Sequence, residues 1–190
     1  MKRLIIPTLL FFCYACNDNS LPKPKAQLRL EYPTPIYKIT NLDVPFTFEE
    51  NTITKNITNI KVNNDSTAFG IDINYPALKG TIYLTYNKID DNLLTLIKDA
   101  QNLTQKHTIK ADEIIEQKFI NENHHVFGMF YEVGGNAASQ SQFYVTDSIQ
   151  HFLNGSLYFY AKPNYDSIYP AAVYLKNDIK HIMETLQWKD

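Results

Sequence analysis

Cysteine is nearly absent from this 190-residue chain: the two present, Cys13 and Cys16, both fall within the first sixteen residues. Everything downstream of residue 16 therefore lacks the thiols for a disulfide framework, a cysteine-ligated zinc or a cysteine nucleophile. Long apolar runs are missing as well. The greasiest stretch, Leu4 to Tyr14, is 11 residues long and is interrupted by Pro7 and Thr8, whereas a membrane-spanning helix needs about 20. Arginine is scarce, with Arg29 the only one after Arg3. Net charge is -2 for the whole chain, and residues 16–190 carry 16 basic and 20 acidic side chains. That balance excludes a nucleic-acid partner, which would require a basic face.

Familiar catalytic spacings are lacking too. There is no H-E-x-x-H, no histidine pair four apart and no G-x-S-x-G. His107, His151 and His181 are isolated, and His124 and His125 are neighbours. On a strand, neighbours point to opposite faces and cannot easily share a metal. The small polar run Gly134-Gly135-Asn136-Ala137-Ala138-Ser139 lacks the lysine of a phosphate-binding loop, and a hairpin turn accounts for its glycines. Neither a catalytic set, a cofactor site nor a metal site is expected.

What is present begins with an export signal. Lys2 and Arg3 precede the apolar stretch, which has the length of a signal-peptide core. Ala15 stands directly before Cys16 and Asn17-Asp18-Asn19 follows, an arrangement resembling the bacterial lipobox, in which the cysteine becomes the first mature residue and is acylated. Residues 1–15 are thus expected to be a removed signal peptide, and Cys16 a lipidation site that fixes the chain to a bilayer. Two or more acyl chains anchor stably where one does not. Residues 16–26 read as an extended tether, stiffened by Pro22 and Pro24. Nine such residues reach about 30 Å at most.

Residues 27–190 are expected to form a single α+β domain. Leu28–Tyr32, Phe46–Glu50, Thr52–Val62, Ala68–Tyr75, Thr81–Tyr86, the segment after Asp112, Val126–Val133, Ser141–Thr146 and Ser156–Tyr160 have strand character. Pro76 to Gly80 and Gly134-Gly135-Asn136 are the expected hairpin turns. The period changes to that of a helix at Leu93, Leu96, Ile97, Ala100 and Leu103, with Asp91 or Asn92 as N-cap. A second, long helix closes the chain, with Ile168, Ala172, Leu175, Ile179, Ile182, Met183 and Leu186 on one stripe and Pro170 in its first turn. Strands and helices in this order predict a mainly antiparallel sheet with two helices packed on it.

Aromatic residues are dense, with 13 Tyr, 11 Phe and one Trp. Tyr158, Phe159 and Tyr160 are consecutive, so their strand shows an aromatic on each face, and tyrosine is enriched at interfaces. Arg29, Tyr32, Tyr158 and Tyr160 are the candidate interaction residues. Three Asp-Ser-apolar triplets, at Asp65, Asp147 and Asp166, resemble a periplasmic O-glycosylation sequence of Bacteroidetes. Turn and cap chemistry explains such triplets equally well, most directly at Asp166. Ser66, in the polar loop Asn63–Thr67, is the candidate for modification.

The stretch from Phe143 to Trp188, F-Y-V-T-D-S-I-Q-H-F-L-N-G-S-L-Y-F-Y-A-K-P-N-Y-D-S-I-Y-P-A-A-V-Y-L-K-N-D-I-K-H-I-M-E-T-L-Q-W, and L-P-K-P-K-A-Q-L-R-L-E-Y-P from Leu21 to Pro33 resemble the gliding-motility lipoprotein GldD family of Bacteroidetes. The resemblance implies a role in gliding motility and type IX protein secretion, as an assembly, scaffold or accessory factor at the periplasmic side of the outer membrane. Its implied partners are the bilayer, through acylated (typically palmitate-bearing) Cys16, and other lipoproteins and membrane proteins of that machinery. It implies no enzyme activity. The layout is also similar to the Mog1/PsbP-like fold, an analogy silent on function. Two other readings stay open: a small-ligand or glycan-binding domain with walls at Tyr158, Tyr160 and Gly134-Gly135, and an envelope hydrolase using His124 or His125 with Asp147 or Asp166.

Overall fold

Among the described residues, eleven strands and two α-helices follow from the two side-chain periods. The computed structural model describes residues 31–55, 57–60, 67–106, 110–160 and 165–189. The expected signal peptide and tether, Cys16, Arg29 and Ser66 lie outside the described residues, as do residues 28–30 of the first expected strand.

Strand β1 is Tyr37–Ile39, β2 Phe46–Thr47, β3 Glu49–Asn51, β4 Ile57–Ile60, β5 Ala68–Tyr75 and β6 Gly80–Lys88. Helix α1 is Leu93–Gln105. Then come β7 Ala111–Asn121, β8 Val126–Gly135, β9 Ser139–Thr146 and β10 His151–Phe159, helix α2 Tyr165–Thr185 and β11 Gln187–Trp188. Seven strands form one antiparallel sheet in the order β4-β5-β6-β10-β9-β8-β7. Two small antiparallel ribbons, β1 with β3 and β2 with β11, stand beside it. The fold is α+β, as the sequence pattern predicts.

Alternation fixes what each sheet face does. One face carries Ile71, Ile73 and Tyr75 of β5, Ile82, Leu84 and Tyr86 of β6, Phe143 and Val145 of β9, and Leu153 and Leu157 of β10, all buried with Leu175, Ile179, Ile182 and Met183 of α2. Phe46, Phe48 and Val44 close the same core. The opposite face carries Tyr131, Tyr144 and Phe152, packed under Leu93, Leu96, Ile97 and Ala100 of α1. The sheet is thus sandwiched by one helix on each face. Burying a Leu, Ile, Phe or Met side chain gains about 1.5–3 kcal/mol, so the apolar stripe of α2 is a leading source of stability.

Several local details differ from the sequence reading. Helix α2 runs from Tyr165, which makes Pro170 its sixth residue and places it inside the helix rather than in the first turn. A proline there has no N–H to give the carbonyl four residues back. The expected cap at Asp166 lies within the first turn, where a carboxylate favours the helix dipole. The Tyr165 N–H instead donates to Asn136 Oδ1 at 3.0 Å, so the β8–β9 turn holds the start of α2. Asn92 is the N-cap position of α1 but makes no side-chain cap bond; its Oδ1 accepts from the Asp90 N–H. Strand β10 starts five residues before the expected Ser156 and runs through Asn154-Gly155, where Gly155 leaves room for the Phe143 ring. His124 and His125 are not on a strand. They form the tight turn between β7 and β8, with His125 at φ +51°. Gly135 ends β8 at φ +88°, a conformation that only glycine adopts without strain.

Candidate functional site

The part of the sheet that α1 leaves uncovered is a tyrosine surface. Register places Asn74, Thr81 and Tyr158 in one cross-strand row and Asp72, Tyr83 and Ser156 in the next, all on the α1 side. Tyr160, just past β10, is 65 % exposed. Its hydroxyl lies 2.8 Å from Thr81 Oγ1 and 3.2 Å from the Tyr83 hydroxyl. Thr81 Oγ1 also donates to Asn74 Oδ1. The Tyr83 and Tyr158 rings meet edge to face at 5.8 Å, a geometry that aromatic quadrupoles favour. Beside this cluster opens a cleft of about 390 Å³ between Lys55, Asn74, Pro76, Lys79 and Tyr160. The rings are held by each other, so they present fixed, partly polar area, which suits them to binding.

The Tyr83 hydroxyl titrates late, at about 12, chiefly because it shares a hydrogen bond with Tyr160 and secondarily because it is partly desolvated. Tyr160→Phe removes the hydroxyl but keeps the ring. It should bring Tyr83 back toward the ordinary value near 10, followed by NMR of ring-labelled tyrosine. An unchanged titration would show that the two hydroxyls are not joined.

A second polar group lies under the arm that leads to the N-terminus. Asp178, on α2, is 1 % exposed. Its carboxylate accepts from the Tyr37 hydroxyl at 2.7 Å and from Asn51 Nδ2 at 3.2 and 3.0 Å. Burial pushes its pKa up, and the hydrogen bonds offset only part of that. The Tyr37 ring stacks on His181 at 3.6 Å, and His181 Nε2 meets Glu49 Oε2 at 2.7 Å. Tyr174 donates to the Pro33 carbonyl at 3.0 Å, and its ring lies 5.2 Å from that of Tyr32. The arm 31–51 is thereby bolted to α2.

A third feature is a cleft of about 630 Å³ bordered by His124, His125, Asp147, His151, Trp188 and Lys189. The structure therefore gathers His124, His125 and Asp147, the side chains of the hydrolase reading; Asp166 is on α2 and does not border this cleft. The groups have structural tasks. Asp147 Oδ1 accepts the backbone N–H groups of Ile149, Gln150 and His151 at 2.8–2.9 Å. His151 stacks on Trp188 at 5.0 Å and meets the Tyr86 hydroxyl at 2.8 Å. Desolvation lowers the His151 pKa. Trp188 Nε1 donates to the His125 carbonyl. Among the described residues no three His, Cys, Asp or Glu side chains converge to hold a metal ion.

Comparison with known proteins decides what kind of chain this is. A family model described as gliding motility lipoprotein GldD matches residues 17–188. The chain belongs to the GldD family. No curated protein and no solved structure matches it, so the Mog1/PsbP-like comparison gains no support.

The GldD match brings a membrane-anchored envelope setting and gliding motility with it; the family is not a known enzyme family. Among the described residues no helix is long and apolar enough to cross a membrane. Of the interaction residues read from the sequence, Tyr158 and Tyr160 meet on the tyrosine surface, whereas Tyr32 stands apart on the arm against Tyr174. Gly134 and Gly135 sit two strands from Tyr158, at the β7–β8 side, and do not border the cleft beside Tyr160. Tyr83, Asp178 and Asn51 escaped the sequence reading. Asp178 had a legible signal: it interrupts the helical stripe formed by Leu175, Ile179 and Ile182. Tyr83 had only its place opposite Ser156, which requires the register.

Proposed function

We propose that this GldD-family chain is a lipid-anchored assembly or scaffold factor of the gliding and type IX secretion machinery. Acyl chains on Cys16 hold it at the periplasmic side of the outer membrane, and it acts by binding other proteins of that machinery, not by catalysis. The observation that carries this reading is the family match, which begins at residue 17, directly after Cys16. The tether of residues 16–26 then gives the body limited reach from the lipid, and the tyrosine surface offers a fixed face for a partner.

Photoreactive residues placed at Tyr158 and Tyr160 in cells test the reading. They should cross-link other lipoproteins or membrane proteins of the gliding apparatus, identified by mass spectrometry. Cys16→Ser should move the chain from the membrane fraction to the soluble fraction and abolish gliding and secretion. Full gliding with a soluble chain overturns the anchor, and recovery of no envelope protein overturns the scaffold role. The cleft of about 390 Å³ beside Tyr160 favours one further reading, a small-ligand or glycan site, which chemical-shift changes at Lys79 and Tyr160 on adding envelope saccharides would reveal.

A further inference from the structure

We propose that two copies of this chain pair edge to edge through β7, joining their sheets into one continuous antiparallel sheet across a twofold axis at Gln117. The two edges of the seven-stranded sheet differ sharply. One is β4, of four residues, and the other is β7, of 11 residues. Soluble proteins blunt an edge with prolines, lysines, a short strand or a bulge, because its free N–H and C=O groups recruit another strand. Strand β7 has no proline and one lysine, and its irregularity lies at its start, between Ala111 and Glu113. The run Glu113–Asn121 is regular, and among the described residues no strand pairs with its outer side. Ile115 and Ile120, two of the exposed large apolar residues, are on it at 42 % and 51 % exposure.

The occupant follows from the order of its residues. Residues opposite each other in an antiparallel pair share a sheet face. A twofold axis normal to the sheet therefore pairs residues of the same parity, and the axis must pass midway between one residue and its own copy. Centring on Glu116 sets Glu116 against its own copy, and centring on Lys118 sets Lys118 against its own. Centring on Ile115 sets Ile114 against Glu116, and centring on Ile114 sets Glu113 against Ile115. Gln117 is different. About it, Glu116 faces Lys118, Ile115 faces Phe119, Ile114 faces Ile120 and Glu113 faces Asn121, each twice. Glu116, Gln117 and Lys118 are exposed, so the charged pairs form in the middle of the contact. Within Glu113–Asn121 no pair in that register opposes like charges or sets an apolar side chain against a charged one; the next pair out, Asp112 with Glu122, falls at the irregular start of β7 and in the turn after it. The nine residues add about nine backbone hydrogen bonds, one per residue on average, and cover Ile115 and Ile120. The surface is used by neither the tyrosine cluster nor the arm, so the pairing is independent of the function proposed above.

The test is a thiol at the axis of the full-length, membrane-extracted protein. Gln117→Cys places two cysteines side by side across the twofold, at a spacing a disulfide or a short thiol cross-linker can close. It should give a covalent dimer on mild oxidation, whereas Thr85→Cys, exposed on β6, and the unmodified chain should not. Adding Lys118→Glu opposes glutamates twice and should cut the dimer yield about tenfold or more. Adding Glu116→Lys as well restores opposite charges and should restore the yield. Equal cross-linking at Gln117 and Thr85, indifference to the single charge change, or failure of the double swap to rescue would each overturn the pairing.

Discussion

Asp178→Ala is expected to destabilise the protein by roughly 3 kcal/mol, the cost of taking the shared acceptor from the Tyr37 hydroxyl and one N–H of buried Asn51. The carboxylate takes three donated contacts from Tyr37 and Asn51 in a place that water does not reach. Alanine returns some desolvation energy but takes the acceptor from the Tyr37 hydroxyl and from one Asn51 N–H, leaving the Asn51 amide only its bond to the Tyr174 hydroxyl at 3.1 Å. At about 2–4 °C per kcal/mol for a chain of this size, the melting temperature should fall by about 6–12 °C in a calorimetric scan. The damage should be directional. Tyr37 is on β1 and Asn51 on β3, so hydrogen exchange should accelerate first in the arm 31–51, before the seven-stranded sheet. A melting point within 2 °C of the parent would show that this network holds nothing.

The same group gives a pH dependence with a definite sign. Burial raises the folded pKa of Asp178 above its ordinary value, so the folded state holds the proton up to a higher pH than the unfolded state. Folding stability from this group is fully present below the unfolded pKa, near 3.9, and is lost as pH rises through the folded pKa. The difference in stability between the parent and Asp178→Ala should therefore be largest in acid and shrink toward neutral pH. Urea melts at a series of pH values measure that difference, and a penalty growing with pH would reverse the assignment.

How far the sequence reaches is clearest at α2. The stripe Ala172, Leu175, Ile179, Ile182 and Met183 is buried as its spacing implies, because one repeat governs which side of a helix meets the sheet. The hairpins 68–88 and 126–146 were equally legible, since alternation and turn residues agree there. The end of α2 nearest Pro170 was misplaced. Proline's preference for the first turn is a statistical pull, and the contact that sets the start, Tyr165 to Asn136, joins residues 29 apart. His124 and His125 fell between two expected strands, and nothing in the pair itself announces a tight turn until β7 and β8 are known to be neighbours. The tyrosine surface was half legible. Tyr158 and Tyr160 could be picked out by composition, but Tyr83 joins them only because β6 pairs with β10. The β6–β10 pairing skips α1 and three strands, so no local pattern announces it.

That same register makes Gly128→Ala the most damaging small substitution available, expected to cost about 3 kcal/mol or more, at the upper end of overpacking effects. A methyl group on Gly128 would fall on the carbonyl oxygen of Tyr144, with the carbonyl carbon at 2.8 Å and the Val145 Cα at 3.0 Å. These are backbone atoms of β9, the strand that β8 pairs with. A clash with a side-chain tip relaxes by a rotamer change, but backbone in mid-sheet can retreat only by stretching ladder hydrogen bonds on both sides. Gly134→Ala supplies the contrast on the same strand. Its new methyl meets Glu113 Cγ at 3.1 Å, the flexible part of an exposed side chain that can swing away, and should cost within about 1 kcal/mol. Chemical denaturation of the two variants side by side separates these effects. If Gly128→Ala proved as mild as Gly134→Ala, strands β8 and β9 would not approach as closely as this register requires, and the burial of Tyr144 and Val145 on opposite faces would need another explanation.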